Sequence, residues 1–316
     1  MNAPTGFVAS ARFRAHESGV GHPEASARLD AIEARLELDG LLDELDVTEP
    51  RDIDLEHLRR VHDDDLVDRL ERTRGKAFHS LDQDTHVGPR SFDAARLASG
   101  GLLDACERVL DGSWKNAFVC ARPPGHHAEF ERAMGFCLVN HVAVAARALQ
   151  ELHGLGRIAI VDWDVHHGNG TQHLFERDPS IYYASLHEWP LYPGSGARGE
   201  RGVAKGEGTT LNLPQPPRAT NSEWLRAFEG ELLPALEEFD PEFVLVSAGF
   251  DGHADDPLAT TRLDESAYAT MTEGLWDVAR RHASGRLVSL LEGGYDLDAL
   301  GRSVSTHVTA LLQAQP

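Results

Sequence analysis

The stretch IAIVDWDVHHGNG, residues 158–170, decides the fold and most of the chemistry of this chain. It opens as a short apolar run rich in β-branched residues and turns abruptly polar at Asp162, as a buried strand of a parallel sheet does when it delivers side chains to its carboxyl end. Asp162, Asp164, His166 and His167 follow in close succession, and Gly168 and Gly170 let the backbone pass near whatever those groups hold. In an extended segment Asp164 and His166 point to one side, with Asp162 one step nearer the sheet, so they can grip a single ion. A carboxylate and an imidazole suit a borderline divalent cation such as zinc, but two ligands are not a site and a third must come from elsewhere. A lone D-x-H is most often a solvated loop. The density of this cluster, directly after a buried strand, argues for function, because open α/β sheets bind ligands there.

Working outward, strand-like runs at 117–121, 157–161, 181–185, 242–247 and 286–291 alternate with helical patterns at 139–153, 171–176, 223–239, 265–282 and 297–313. That alternation predicts βαβ units with right-handed crossovers, hence an α/β fold whose mostly parallel sheet is flanked by helices. Upstream, FVAS (7–10) reads as a strand, and helices are expected over 23–38, over 54–72, and from an N-cap at Ser91 to Leu110. PQPP (214–217) reads as a rigid loop too short to separate domains. With no internal repeat, low-complexity tract or linker, residues 1–316 are expected to form one domain.

The other polar constellations also follow strand-like runs. RPPGHHAE (122–129) brings His126 and His127, AGFDGHADDP (248–257) brings Asp251, and EGGYD (292–296) brings Tyr295. Parallel strands share one carboxyl edge, so these groups can converge on Asp164 and His166, with Asp251 as the third ligand. On its own sequence Asp251 is as readily a turn or cap residue; convergence favours the ligand. Three protein ligands leave a position open, as a catalytic zinc requires. The His126–His127 pair lacks metal-ligand spacing and suits acid–base work beside the ion, with Asp162 and Asn169 available to fix the tautomers. Tyr295, after Gly293 and Gly294, can aim a phenol at a polarised carbonyl. Together these describe metal-assisted hydrolysis of a carbonyl compound.

Composition narrows the partners. With 51 Asp and Glu against 30 Lys and Arg, the net charge of −21 argues against a broad nucleic-acid footprint and would attract a cationic substrate. Lysine occurs only at Lys76, Lys115 and Lys205, which suits solubility at high salt, and a GC-rich genome explains the arginine excess equally well. No run approaches the roughly 18 apolar residues of a membrane span, and the N-terminus lacks a secretory pattern. Cys106, Cys120 and Cys137 form no metal spacing and fit a reducing compartment, so the expectation is a cytoplasmic protein without membrane attachment. Self-association is left open.

RPPGHHAE (122–129), GFC with Asn140 (135–140), DWDVHHGNGTQ (162–172), SLH (185–187), SAGFDGHADDPL (247–258), LEGGYD (291–296) and HPEASAR (22–28) resemble the zinc-dependent histone deacetylases and their microbial amidohydrolase relatives. The resemblance covers nearly the whole chain and is nearest the class II branch. It implies an arginase-like α/β fold in one domain with a narrow tunnel to the ion. It also implies that Asp164, His166 and Asp251 bind one zinc, that His127 is general base and then acid, that His126 with Asp162 gives electrostatic help, and that Tyr295 polarises the acyl oxygen. Gly135, Phe136 and Tyr192 match tunnel-lining positions, Leu258 a position at the tunnel rim, and Arg28 an internal channel behind the metal. Asp162, Ser185 and Leu186, with backbone oxygens of Asp164 and His166, match a structural potassium or sodium site. Asn169 stands where the class I branch has an aspartate, which should leave His127 less basic. The implied partner is an acetylated protein, peptide or small amine. Two other readings compete: a manganese ureohydrolase, which would need carboxylates where Gly168 and His253 stand, and a non-catalytic acyl-lysine reader, which Tyr295 argues against.

Overall fold

A computed structural model describes residues 3–315; residues 1, 2 and 316, the ends of the 1–316 domain expected from sequence, lie outside the described residues. The apolar runs form strands β1 (Thr5–Val8), β2 (Asp46–Thr48), β3 (His79–Ser80), β4 (His86–Val87), β5 (Asn116–Val119), β6 (Ile158–Asp162), β7 (Ile181–Glu188), β8 (Thr210–Gln215), β9 (Phe243–Ala248) and β10 (Leu287–Leu291). Eight make one sheet in the order β2-β1-β5-β10-β9-β6-β7-β8, and every pair is parallel. β3 and β4 form a separate antiparallel pair. Strands β5, β6, β7, β9 and β10 are buried at every position, which is why they read as continuous apolar runs rather than alternating ones. Helices α1 (Ala27–Leu38), α2 (Leu55–Arg59), α3 (Asp64–Glu71), α4 (Ser91–Leu110), α5 (His141–His153), α6 (Asn169–Phe175), α7 (Asn221–Ala227), α8 (Leu233–Phe239), α9 (Glu265–His282) and α10 (Leu297–Gln313) connect them. α4 packs with α5, while α1, α10, α9 and α8 pack against one another in series. The register sets Asp162 beside Ser247 on one flank and Ser185 on the other, so the loops leaving β5, β6, β9 and β10 open from one edge.

Several boundaries depart from expectation for reasons outside the local pattern. The helix expected over 23–38 starts at Ala27, because Glu24 is buried in ion pairs with Arg28 and Arg122 before the helix begins. The one expected over 54–72 is two helices: Asp63 N donates to Phe130 O at 2.8 Å and Asn140 N to His62 Nε2 at 2.8 Å, and both bonds hold the break open. Ser91 is not the cap of α4 but its first residue; its Oγ accepts from Gly88 N at 2.8 Å and contacts His16 Nδ1 at 2.9 Å. The pattern at 223–239 is α7 and α8 joined by a π turn over Phe228–Leu232, where Pro234 just beyond has no N–H to give the regular ladder. PQPP is not wholly loop: Pro214 and Gln215 end β8, an edge strand whose outer side needs no donor. β1 runs over Thr5–Val8 rather than 7–10.

Three buried histidines tie helices to neighbouring helices, loops and, at His307, the sheet as neutral rings. His62 Nδ1 meets Glu129 O at 2.9 Å, His141 lies between Ser99 Oγ at 2.7 Å and Pro123 O at 3.0 Å, and His307 lies between Thr272 Oγ1 at 2.7 Å and Ser289 Oγ at 2.8 Å. Burial pushes His62 and His141 down to about 4 and His307 to about 3. The unfolded chain binds these protons near 6.5, so between that value and the folded ones it holds more protons than the native state and stability rises with pH. The stabilisation is complete above about pH 6.5 and is lost on acidification, at up to about 1.4 kcal/mol per pH unit for each ring. Urea midpoints at pH 7 and pH 5 should therefore differ strongly, and His307→Gln should remove about one proton from the slope. Equal midpoints would show that the rings are not buried neutral.

Candidate active site at the carboxyl edge of the sheet

The strand ends bring the candidate residues to one edge of the sheet. Asp164 and His166 follow β6 and Asp251 follows β9, and one ligand atom from each lies within 4.8 Å of the other two, all from buried side chains. His166 Nδ1 is 3.1 Å from Asp164 Oδ1 and 3.1 Å from Asp251 Oδ2. Val165 N donates to Asp251 Oδ1 at 2.9 Å and Gly293 N to Asp164 Oδ2 at 2.8 Å, so loop amides aim both carboxylates. Gly293 is required here: a Cβ on it would lie 2.1 Å from Asp251 Oδ2.

The charges fit a cation. Burial pushes Asp251 above the usual carboxylate range and the neighbouring Asp164 adds to it. Burial acts the same way on Asp164, but His126 and His166 outweigh it and hold that carboxyl below its ordinary range. Burial would lower His166, yet hydrogen bonds to Asp164 and Asp251 drive it up to about 10. Two carboxylates and an imidazole sharing one positive charge match the N/O donor set and open coordination of a catalytic zinc. A second buried group of ligand-type side chains, His126, Cys137 and Glu292, is already engaged. Glu292 accepts from Gly125 N at 2.6 Å, His126 N at 3.2 Å and Ser247 Oγ at 3.0 Å, and the Cys137 thiol donates to Gly135 O at 3.3 Å.

The paired histidines differ. His126 Nδ1 lies 3.0 Å from Asp162 Oδ2; burial opposes its charge, but Asp162 and Asp164 raise it to about 10, so it is a cation at neutral pH. His127 is held well below the ordinary histidine value by burial and by the charges of His126 and His166. Its Nδ1 is 2.7 Å from Asn169 Oδ1, and Asn169 Nδ2 donates to Glu129 Oε1 at 2.5 Å, so the amide orientation fixes the ring's tautomer and leaves Nε2 with a free lone pair.

A cavity of about 260 Å³ leads to these groups, lined by Asp84, His127, Gly135, Phe136, His166, Leu191, Tyr192, Leu258 and Tyr295. The Phe136 and Tyr295 rings stand edge to face with centroids 5.8 Å apart, and His127 and Tyr192 do so at 5.1 Å. Gly135, Phe136, Tyr192, Leu258 and Tyr295 are thus brought together around one cavity. Arg28 is not on the wall: it is buried behind Tyr295, 5.0 Å from that ring, with Nε donating to Gly294 O at 2.6 Å, and so cannot touch a substrate in the cavity. Asp162 and Ser185 face each other in register, and Ser185 Oγ is 2.9 Å from His187 Nδ1. Asp84, Glu129, Glu292 and Asp256 escaped the sequence reading. Asp84 lies in the short turn between β3 and β4, which no apolar run announces, whereas Glu129, Glu292 and Asp256 lie inside motifs already quoted and could have been weighed there.

An all-parallel α/β sheet carries the candidate metal triad, the paired histidines and the tyrosine around one cavity, an arrangement that suits a hydrolase. A family model described as the histone deacetylase domain matches residues 22–311. The chain belongs to the histone deacetylase family. It is 38% identical over 296 residues to a probable deacetylase of Archaeoglobus fulgidus, covering 93% of this chain and 82% of that one. It is also 38% identical over 279 residues to a histone deacetylase-like amidohydrolase of Pseudomonas aeruginosa, covering 88% and 73%. The crystal structure of the HDA15 HD domain superposes with a TM-score of 0.94 at 37% identity, over 99% of this chain and 90% of that one. The fold is therefore the arginase-like α/β fold of that family.

Proposed function

We propose that this chain is a zinc-dependent deacetylase, a single catalytic domain over residues 1–316 that cleaves N-acetyl amides, with acetyl-lysine in proteins or peptides preferred. The observation that carries the reading is the meeting of Asp164, His166 and Asp251 with neutral His127 and Tyr295 at the end of one cavity of about 260 Å³. An acylated alkyl chain fits that space, packing its stem against Phe136, Tyr192 and Leu258. Asp164, His166 and Asp251 would hold the zinc, which when bound would supply Lewis-acid polarisation of the amide carbonyl and a more acidic attacking water. His127 takes that water's proton at Nε2 and returns it to the departing amine. His126, kept cationic by Asp162, stabilises the negative charge that develops, and the Tyr295 hydroxyl donates to the acyl oxygen. Asp162, Ser185 and Leu186 are assigned to a structural potassium or sodium ion, and the free cysteines suit a cytoplasmic location. Among the described residues no helix is long and apolar enough to cross a membrane.

A ureohydrolase with two metals is disfavoured because a Cβ at Gly168 would lie 2.1 Å from Asp162 Oδ2, leaving no room for an extra carboxylate. The acetylpolyamine reading keeps one supporting observation, the carboxylate of Asp84 on the cavity wall. Leu258 favours the peptide, since it offers apolar surface to the acyl-lysine stem and no partner to a distant ammonium. Acetate release from acetyl-lysine peptides, free acetyl-lysine and acetylspermidine, with and without zinc, tests the assignment. The peptides should give the higher kcat/KM, and Leu258→Glu should move preference toward the polyamine. Wild-type preference for acetylspermidine, unmoved by the mutation and by ionic strength, would reverse the substrate order.

A further inference from the structure

Tyr295 must place its hydroxyl within hydrogen-bond reach of the acyl oxygen, yet it follows two glycines, and Gly294 has φ +122°, a conformation open to few other residues. Something outside the turn has to hold it. Gly293 N is taken by Asp164 Oδ2 at 2.8 Å and Gly294 O by Arg28 Nε at 2.6 Å. At Tyr295 itself the backbone is held by Asp256: its Oδ2 accepts from Tyr295 N at 2.7 Å and from Asp296 N at 3.3 Å. The same carboxylate uses Oδ1 to accept from Leu258 N at 3.0 Å, and Leu258 and Tyr295 both line the cavity. Asp256 is only 7% exposed and lies on the segment that carries Asp251. We propose that Asp256 is the positioning residue for Tyr295, a carboxylate clip that fastens the tyrosine turn to the Asp251 segment and to the cavity wall at Leu258.

This rests on the reading of Tyr295 as the donor to the acyl oxygen. A carboxylate suits the task because both oxygens are acceptors and N–H groups approach both of them. Burial pushes this carboxyl up to about 7, so it is a costly group to enclose unless those N–H bonds are needed. Asparagine keeps the shape but puts an NH₂ group against the N–H of either Tyr295 or Leu258, and the clip opens on one side.

The test is a double-mutant cycle of D256N with Y295F, reading kcat, KM and zinc per chain. D256N should lower kcat by about 10- to 100-fold, the scale of an ångström-sized misplacement of a reacting group. KM should stay within a few-fold and metal content should not change. In the Y295F background D256N should cost no more than about twofold, because the two substitutions remove one function. Should D256N fail to fold, D256S, which retains a single acceptor, takes its place in the cycle. An equal loss in both backgrounds, an unaltered kcat or a loss of zinc would each overturn the clip while leaving Tyr295 as donor. If Y295F alone stayed within a few-fold of the parent, the donor reading would fail and the clip with it.

Discussion

Asp251→Ala is expected to yield a folded protein that neither holds zinc tightly nor releases acetate. The carboxylate lies 3.1 Å from His166 Nδ1, and Asp164 completes that cluster among the described residues, so removal leaves two donors, too few for a catalytic site. The loss of rate should be about 10⁴-fold or more, the several kcal/mol of charge stabilisation that a bound ion contributes. Folding should survive, because the change also removes a buried negative charge repelled by Asp164, which offsets the lost acceptor of Val165 N. Asp251→Asn keeps an acceptor for Val165 and should still fail to bind zinc. Parent protein stripped with a chelator should regain activity when zinc is returned, and neither variant should. One zinc per chain in the purified Asp251→Ala protein would falsify the assignment of this residue as a ligand.

How far the sequence carries to this site depends on where information about each residue resides. β6, β9 and β10 were legible because fully buried parallel strands are continuous apolar runs, and the bounds of α9 and α10 agree with the pattern, with Asp264 and Asp296 capping their first turns. Asp164, His166, Asp251, His126, His127 and Tyr295 were legible for one topological reason: each follows a strand whose carboxyl end shares an edge with the others. What remained hidden depends on distant parts of the chain. β8 pairs only with β7 and contains Pro214, so neither period nor composition announces it. The break before α3 depends on Phe130 and Asn140, more than sixty residues away in sequence. Arg28 was placed behind the metal only through the family resemblance, since the local pattern shows one charged helix position among many and the fold is what buries it behind Tyr295. Glu129 gives no local sign that it sets the amide of Asn169 and, through it, the tautomer of His127.

That last chain of contacts leads to the second large effect. His127→Ala should lower kcat by roughly 10²–10⁴, the usual contribution of a positioned acid–base group, with zinc retained. His126→Ala should be costly through lost positive charge, but it should not by itself remove the ionisation that sets the acid limb of kcat/KM. If only His126→Ala were severe, the roles of the pair would be reversed. The electrostatics make the assignment testable in finer detail. His126 lies against a carboxylate and is pushed up to about 10, so it cannot accept a proton near neutrality, whereas His127 lies against the neutral Asn169 and stays well below its ordinary value. Asn169→Asp places a negative charge 2.7 Å from His127 Nδ1 if the geometry is kept, which favours the imidazolium and raises the pKa of the base. A base must be unprotonated to act, so the acid limb of kcat/KM should move to higher pH and activity below it should fall. Glu129, 2.5 Å from Asn169 Nδ2, would repel the new carboxylate, so the substitution is best read in a Glu129→Gln background. An acid limb that stays in place there, with fold and zinc intact, would mean that His127 is not the base.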